Sequence, residues 1–257
     1  MSRMLAALMF FTRLPWWRLG QVATEHFKHV VDYWPFCGWI TGGLMAAVYA
    51  LAVQALPPTT AALMAIVARL LLTGALHEDG LADFFDGMGG GHTRERILAI
   101  MKDSHIGSYG VLALCAELLL LITLMPVLPH APLCILTADV YAKVCASFII
   151  LQLPYARTEA QAKAGVVYVP WQGRHIATHL LRCAMALAPC IVWWATTAPS
   201  PWLVLAWVVP PLTQLSLVAL MRRKLQGYTG DCCGALFLLC EAGFYVATAA
   251  ITTVITH

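Results

Sequence analysis

The chain has 257 residues, 60% of them hydrophobic and only 11% charged, with a mean hydropathy of +0.75 and a formal net charge of +3. A soluble domain carries roughly 25% charged residues, so the composition excludes a water-soluble fold and points to an all-α, polytopic integral membrane bundle. Its basic residues form no platform with aromatic side chains, which leaves nucleic-acid binding without support.

In chain order, Met1 to Phe11 is apolar but shorter than the ~20 residues needed to cross a ~30 Å hydrocarbon layer. Arg3, Arg13 and Arg18 flank it and Trp16-Trp17 follow, which predicts a helix lying at the membrane interface rather than a cleaved signal. Seven apolar runs come next, at Phe36 to Leu56, Thr60 to Leu76, Ser108 to Leu128, Leu133 to Leu153, Leu180 to Thr197, Trp202 to Met221 and Cys233 to Val254. The expected architecture is one catalytic domain over 1–257, with about seven transmembrane helices (six to eight) and short cytoplasmic and interfacial helices. Backbone groups in lipid must bond internally, and unbroken apolar runs favour helices over barrel strands.

Charge placement orients the bundle. Arg69 and Lys143 fall inside runs, while most other Lys and Arg residues occupy the N-terminal segment or the loops after runs two, four and six. The opposite hairpins, Pro57-Pro58, Pro126 to Pro132 and Ala198 to Pro201, contain neither. The positive-inside rule then puts the N-terminus and the charged loops on the cytoplasmic face of the cell (inner) membrane and His257 outside. Nine cysteines, with no Cys-x-x-Cys, read as small buried apolar residues. Trp34, Trp39, Trp171 and Trp202, near run ends, read as interface anchors.

The loop after run two, His77-Glu78-Asp79-Gly80-Leu81-Ala82-Asp83-Phe84-Phe85-Asp86-Gly87, is the most informative stretch. If it is helical, Asp79, Asp83 and Asp86 stand at i, i+4 and i+7 and share one face. A hard divalent cation such as Mg²⁺ would relieve their mutual repulsion. The plainer alternative is a solvated acidic loop, but Leu81, Phe84, Phe85 and Met88 make a poor solvated face. Carboxylates at the end of a span are costly unless they bind something.

Gly89-Gly90-Gly91 then reads as a flexible break, and Thr93 to Met101 as a short cytoplasmic helix. In the polar entry to run three, Asp103 serves either as a further ligand or base, or with Ser104 as an N-cap. Thr229 and Asp231, after Arg222-Arg223-Lys224, either cap the last helix or share a site with the acidic loop. Arg69, Glu117, Asp139, Lys143 and Glu241 are charges inside runs, and Asp139 and Lys143, at i and i+4, are expected to pair.

Together with Phe11-Thr12-Arg13-Leu14-Pro15, Pro35, Gly38, Ile100-Met101-Lys102-Asp103-Ser104, Gly107, Tyr155-Ala156-Arg157, Thr229-Gly230-Asp231 and Gly234, the acidic signature resembles the cobalamin synthase family, adenosylcobinamide-GDP ribazoletransferase. The likeness spans nearly the whole chain. It implies that a hydroxyl of α-ribazole, or of its 5′-phosphate, attacks the corrinoid-side phosphorus of adenosylcobinamide-GDP and releases GMP, with Mg²⁺ as cofactor. It implies Asp79, Asp83 and Asp86 as metal ligands, Asp103, His77 and Lys102 in catalysis, and Arg157, Ser104, Thr229 and Asp231 in substrate binding. Besides the two substrates and the lipid bilayer, a second copy of the chain and other corrinoid enzymes are the partners it leaves open.

Lys102 and Lys143 stand where that family usually carries arginine, and His105 where it often does. Lysine lacks arginine's bidentate fork for phosphate. After Arg157, Thr158 to Ala162 replaces the usual glycine-containing continuation. Two other readings remain. Asp83-x-x-Asp86-Gly87 is also similar to the signature of CDP-alcohol phosphotransferases, and a cation transporter would use the same acids. Transport sites tend to lie near the bilayer midplane, whereas these acids cluster at one edge.

Overall fold

A computed structural model describes residues 2–158, 165, 167–197 and 200–256. His257, Ala198, Pro199 and most of the segment after Thr158 lie outside the described residues. Within them the fold is all-α, and the only extended pairing is an isolated bridge between Tyr155 and Tyr228.

The helices are α1 (Ser2–Phe11), α2 (Trp34–Ala52), α3 (Pro58–Thr73), α4 (Leu76–Gly90), α5 (Arg94–Ile100), α6 (Ser108–Leu124), α7 (Ala131–Ser147), α8 (Ile149–Gln152), α9 (Arg174–Thr197), α10 (Val209–Lys224) and α11 (Gly230–Thr256). Six stretches among them are long and apolar enough to cross a membrane, and α3 with α4 makes a seventh if the bent pair is one span. The seven apolar runs of the sequence fall on these elements. The chain is therefore a multi-pass membrane protein.

The second run departs most from a simple span. Gly74 (φ 67°) and Ala75 (φ 57°) both adopt the left-handed conformation, and α4 leaves α3 at 92°. Glycine takes that backbone shape freely, whereas alanine pays for it. Arg13 folds over Gly74, where a Cβ would lie 2.0 Å from its Nε, and the Arg13 N–H donates to the Leu72 carbonyl at 2.7 Å. The chain just after α1 is thus strapped to the bend.

At the centre of the bundle stands α7: the apolar stretch within Ala131–Gln152 is 89% buried, against 22% for that within Ser108–Val127. Small residues let its neighbours approach. A Cβ on Gly42 would lie 2.6 Å from the Asp139 Cβ, and one on Gly38 would lie 2.9 Å from the Val140 Cα. A buried ion network fills this centre. The Arg69 guanidinium donates to both oxygens of Glu241 at 2.6 Å, with Asp139 at 3.7 Å and Glu78 at 3.9 Å. Lys143 bonds Asp139, the expected pair, and also Thr41 at 3.0 Å.

Several expectations need correction. The helix α4 continues through Gly89 and Gly90, with the Tyr109 ring packed against Gly89. Two tryptophans are core residues rather than anchors. Trp34 is buried against Phe11, and buried Trp171 donates to Asp32 at 2.5 Å. Trp202 remains exposed, as an anchor would. Of the nine free cysteines, all but Cys115 are buried.

Candidate active site

The acidic signature is helical, as α4, so Asp79, Asp83 and Asp86 do share a face. Two glycines press that helix against the start of α11. A Cβ on Gly80 would lie 3.0 Å from the Asp231 carbonyl oxygen, and one on Gly234 would lie 2.9 Å from that of His77. This approach sets Asp79 and Asp231 along one cavity, although 152 positions separate them in the chain.

The cavity has a volume of about 280 Å³. Its polar lining is His77, Asp79, Arg157 and Asp231, and its apolar lining includes Phe10, Phe11, Trp34, Tyr155 and Tyr168. Arg157 arrives by the bridge between the two tyrosine loops. The Ala156 N–H donates to the Tyr228 carbonyl at 2.8 Å, and the Tyr228 N–H to the Pro154 carbonyl at 3.0 Å. Buried Arg157 then anchors one arm on the Leu98 carbonyl at 2.9 Å and holds the other 3.7 Å from the Asp231 carboxylate. Thr229 sits beneath, its hydroxyl donating to Asp231 at 3.2 Å and accepting from the Cys232 N–H at 3.4 Å. It therefore caps α11, one of the two roles its position suggested.

His77 is 2% exposed, and neither ring nitrogen has a hydrogen-bond partner. Its ring is nearly parallel to Phe11 (12°) and Trp34 (18°), and it meets Phe237 edge-on with centroids 4.7 Å apart. Phe237 in turn carries Lys143, whose Nζ lies 3.8 Å from the ring centroid. The buried ion network thus lies just beneath the cavity.

The remaining candidates are distributed differently. Asp86 is buried, and its two oxygens accept the N–H groups of Gly107 at 2.7 Å and Gly110 at 2.9 Å. A side chain of α4 thereby caps α6, a task that the sequence suggested for Asp103 or Ser104. Asp83, half-buried, stands between the cavity end of α4 and this cap. Lys102, Asp103 and Ser104 are exposed in the loop before α6 and do not line the cavity. Asp103 accepts from the His105 N–H at 3.0 Å and contacts the His105 ring at 2.7 Å. These bonds hold its carboxyl below the usual range. Among the described residues, no group of three or more His, Cys, Asp or Glu side chains is gathered as a metal-holding cluster.

Arg94, on the short helix that the sequence placed at Thr93 to Met101, supports the site. Its guanidinium donates to the Leu225 carbonyl at 2.8 Å and the Ala156 carbonyl at 3.0 Å, clamping together the loops that deliver Arg157 and Asp231. Tyr168 was missed, because a lone aromatic in a loop carries no periodic signal.

The model of the cobalamin-5-phosphate synthase family matches residues 3–249. The chain belongs to the cobalamin-5-phosphate synthase family. Among the relatives of this cobalamin-5-phosphate synthase family member, the adenosylcobinamide-GDP ribazoletransferase of Albidiferax ferrireducens is 32% identical, across 95% of this chain and 96% of that protein. Proteins of the same name from Shewanella sp. and Polaromonas naphthalenivorans are each 34% identical, the first across 94% of this chain and 91% of its own length, the second across 95% and 96%. No solved structure matches.

Proposed function

We propose that this chain joins α-ribazole, or its 5′-phosphate, to adenosylcobinamide-GDP, giving the cobalamin product and GMP. The observation that carries the reading is the convergence of His77, Asp79, Arg157 and Asp231, delivered by α4, the Tyr155 loop and α11, in one cavity of a chain that belongs to this family. The acceptor hydroxyl attacks the corrinoid-side phosphorus, and the bond from that phosphorus to the bridging oxygen breaks. GMP leaves with the electron pair.

The donor set suits Mg²⁺ in part. Mg²⁺ is usually held by one or two carboxylates with substrate phosphates completing the shell. Asp79 and Asp83, one turn apart on α4, supply such a pair, whereas both oxygens of Asp86 already accept backbone N–H groups. When bound, the cation would neutralise charge on the diphosphate oxygens. Asp86 then acts by fixing α4 against α6.

Arg157 faces the transferred phosphate, with its second arm anchored on Leu98. The start of α11 adds the partial positive charge of a helix N-terminus. His77 is the proton acceptor, since it lines the cavity while Asp103 does not. Asp103, held ionised by His105, lies in the exposed loop before α6 with Lys102 and Ser104, outside the cavity. The charged loops face the cytoplasm of the cell membrane, by the positive-inside rule. The test is product formation by membranes containing this chain, supplied with both substrates. GMP released only when both are present supports the reading, and no release from inserted, folded protein refutes it.

A further inference from the structure

Two cavities meet at Arg157. The first is the 280 Å³ cavity already described. The second, of about 540 Å³, is lined by Gln152, Pro154, Val167 and Tyr228 among others, and shares Tyr155, Arg157 and Tyr168 with the first. A transfer between two separate substrates needs their reacting ends at one point, and only a shared wall offers that point.

The smaller cavity is selective by size and shape. Small-molecule sites run roughly 300–1,000 Å³, so 280 Å³ accepts one bicyclic base with part of its sugar but no corrin macrocycle. Its wall is preorganised for a flat ring. Phe11, Trp34 and His77 lie within 18° of parallel, with centroids 5.2 to 6.1 Å apart. Tyr155 and Tyr168 line the same space from other segments. His77 also brings two buried, unpartnered ring nitrogens into that lining, and burying a polar group without a partner is costly.

We propose that the smaller cavity seats the flat heteroaromatic base of the acceptor nucleoside against Phe11 and Tyr168. The diphosphate end of the donor enters the larger cavity, and Arg157 stands at the junction where the acceptor hydroxyl meets the phosphorus. This assignment rests on the transferase reading above. It makes α1, which supplies Phe11, part of the acceptor's seat rather than a membrane anchor alone.

Equilibrium dialysis of the purified full chain in detergent, with α-ribazole and separately with adenosylcobinamide-GDP, tests the seat without requiring turnover. Stacking of a base on an aromatic side chain changes affinity by roughly tenfold when that side chain is removed. Phe11→Leu should therefore raise the α-ribazole Kd about tenfold and leave the donor Kd, set by the larger cavity, within about twofold; Tyr168→Leu, on the wall that both cavities share, should raise the α-ribazole Kd as much, and Tyr168→Phe should restore it. Unchanged α-ribazole affinity in both leucine variants, or equal loss for both ligands in Phe11→Leu, overturns the proposal. If the unsubstituted chain makes no product yet shows the selective loss, the seat stands and the transferase reading fails.

Discussion

Asp86 on α4 accepts the backbone N–H of Gly107 at 2.7 Å, so the last acid of the signature is what holds the first turn of α6 in place. Its other oxygen takes the Gly110 N–H at 2.9 Å. Hydrogen bonds to a charged group contribute more than neutral ones, roughly 1.5–3 kcal/mol each when buried. Asp86→Ala should lower unfolding stability by about 2 kcal/mol or more, and Asp86→Asn, which keeps one acceptor, by about half as much. Thermal unfolding in detergent measures this. A melting temperature unchanged by Asp86→Ala would show that the cap is dispensable.

Asp79 and Asp83 should behave in the opposite way. Both are more open to solvent than Asp86, and the proposed chemistry asks them to hold a cation rather than the backbone. Asp79→Asn and Asp83→Asn should each reduce turnover by about 100-fold or more, on the order of the loss when a key electrostatic contact is removed. Their melting temperatures should stay near that of the unsubstituted chain. Paired activity and unfolding measurements separate the two classes, and an active Asp79→Asn, Asp83→Asn double variant would remove these acids from the mechanism.

The spans were legible because lipid imposes an apolar length that no other solvent demands. Spacing alone also gave the Asp139–Lys143 pair and the shared face of Asp79, Asp83 and Asp86. Other features depend on contacts that local sequence does not encode. Arg69 finds Glu241 across 172 positions, and α4 cannot announce that Asp86 will cap a helix beginning at Ser108. Trp34 and Trp171 sit near span ends like ordinary anchors, yet local sequence does not show that Phe11 stacks on one and Asp32 bonds the other. Site residues were legible as types, whereas their division into cavity lining, cap and exposed loop was not.

The pair Arg69 and Glu241 offers a stability test beneath the site. Removing one partner of a buried ion pair leaves an uncompensated charge and costs roughly 3–5 kcal/mol, whereas replacing both with apolar residues is often near neutral. Arg69→Leu should therefore be severely destabilising, and adding Glu241→Leu should recover much of the loss. Unfolding curves for the single and double variants check it. Equal losses in both would mean that Asp139 and Glu78, also near the guanidinium, carry the dependence on Arg69.

Asp103 gives a pH prediction with a defined sign. The hydrogen bonds from His105, its ring first, hold the carboxyl below its ordinary value. The ionised form is thus favoured in the fold, an effect present at neutral pH and lost as pH falls through the lowered pKa. Asp103 is exposed, so little overall stability rides on it. If its charge serves turnover, His105→Ala should move the acid limb of the pH–rate profile upward, because the carboxyl then protonates nearer its usual value. An unmoved limb would show that the Asp103 charge is not used.

The most direct test of the central claim is GMP and cobalamin product formation from adenosylcobinamide-GDP and α-ribazole 5′-phosphate, by membranes containing this chain, with Mg²⁺ or with EDTA. Both products should form with Mg²⁺ and neither with EDTA, and Asp83→Asn membranes under the same conditions should make about a hundredth as much or less. Undiminished product in EDTA, or from Asp83→Asn, would contradict the metal-dependent role of the α4 acids, and no product from the inserted, folded chain would contradict the transferase itself.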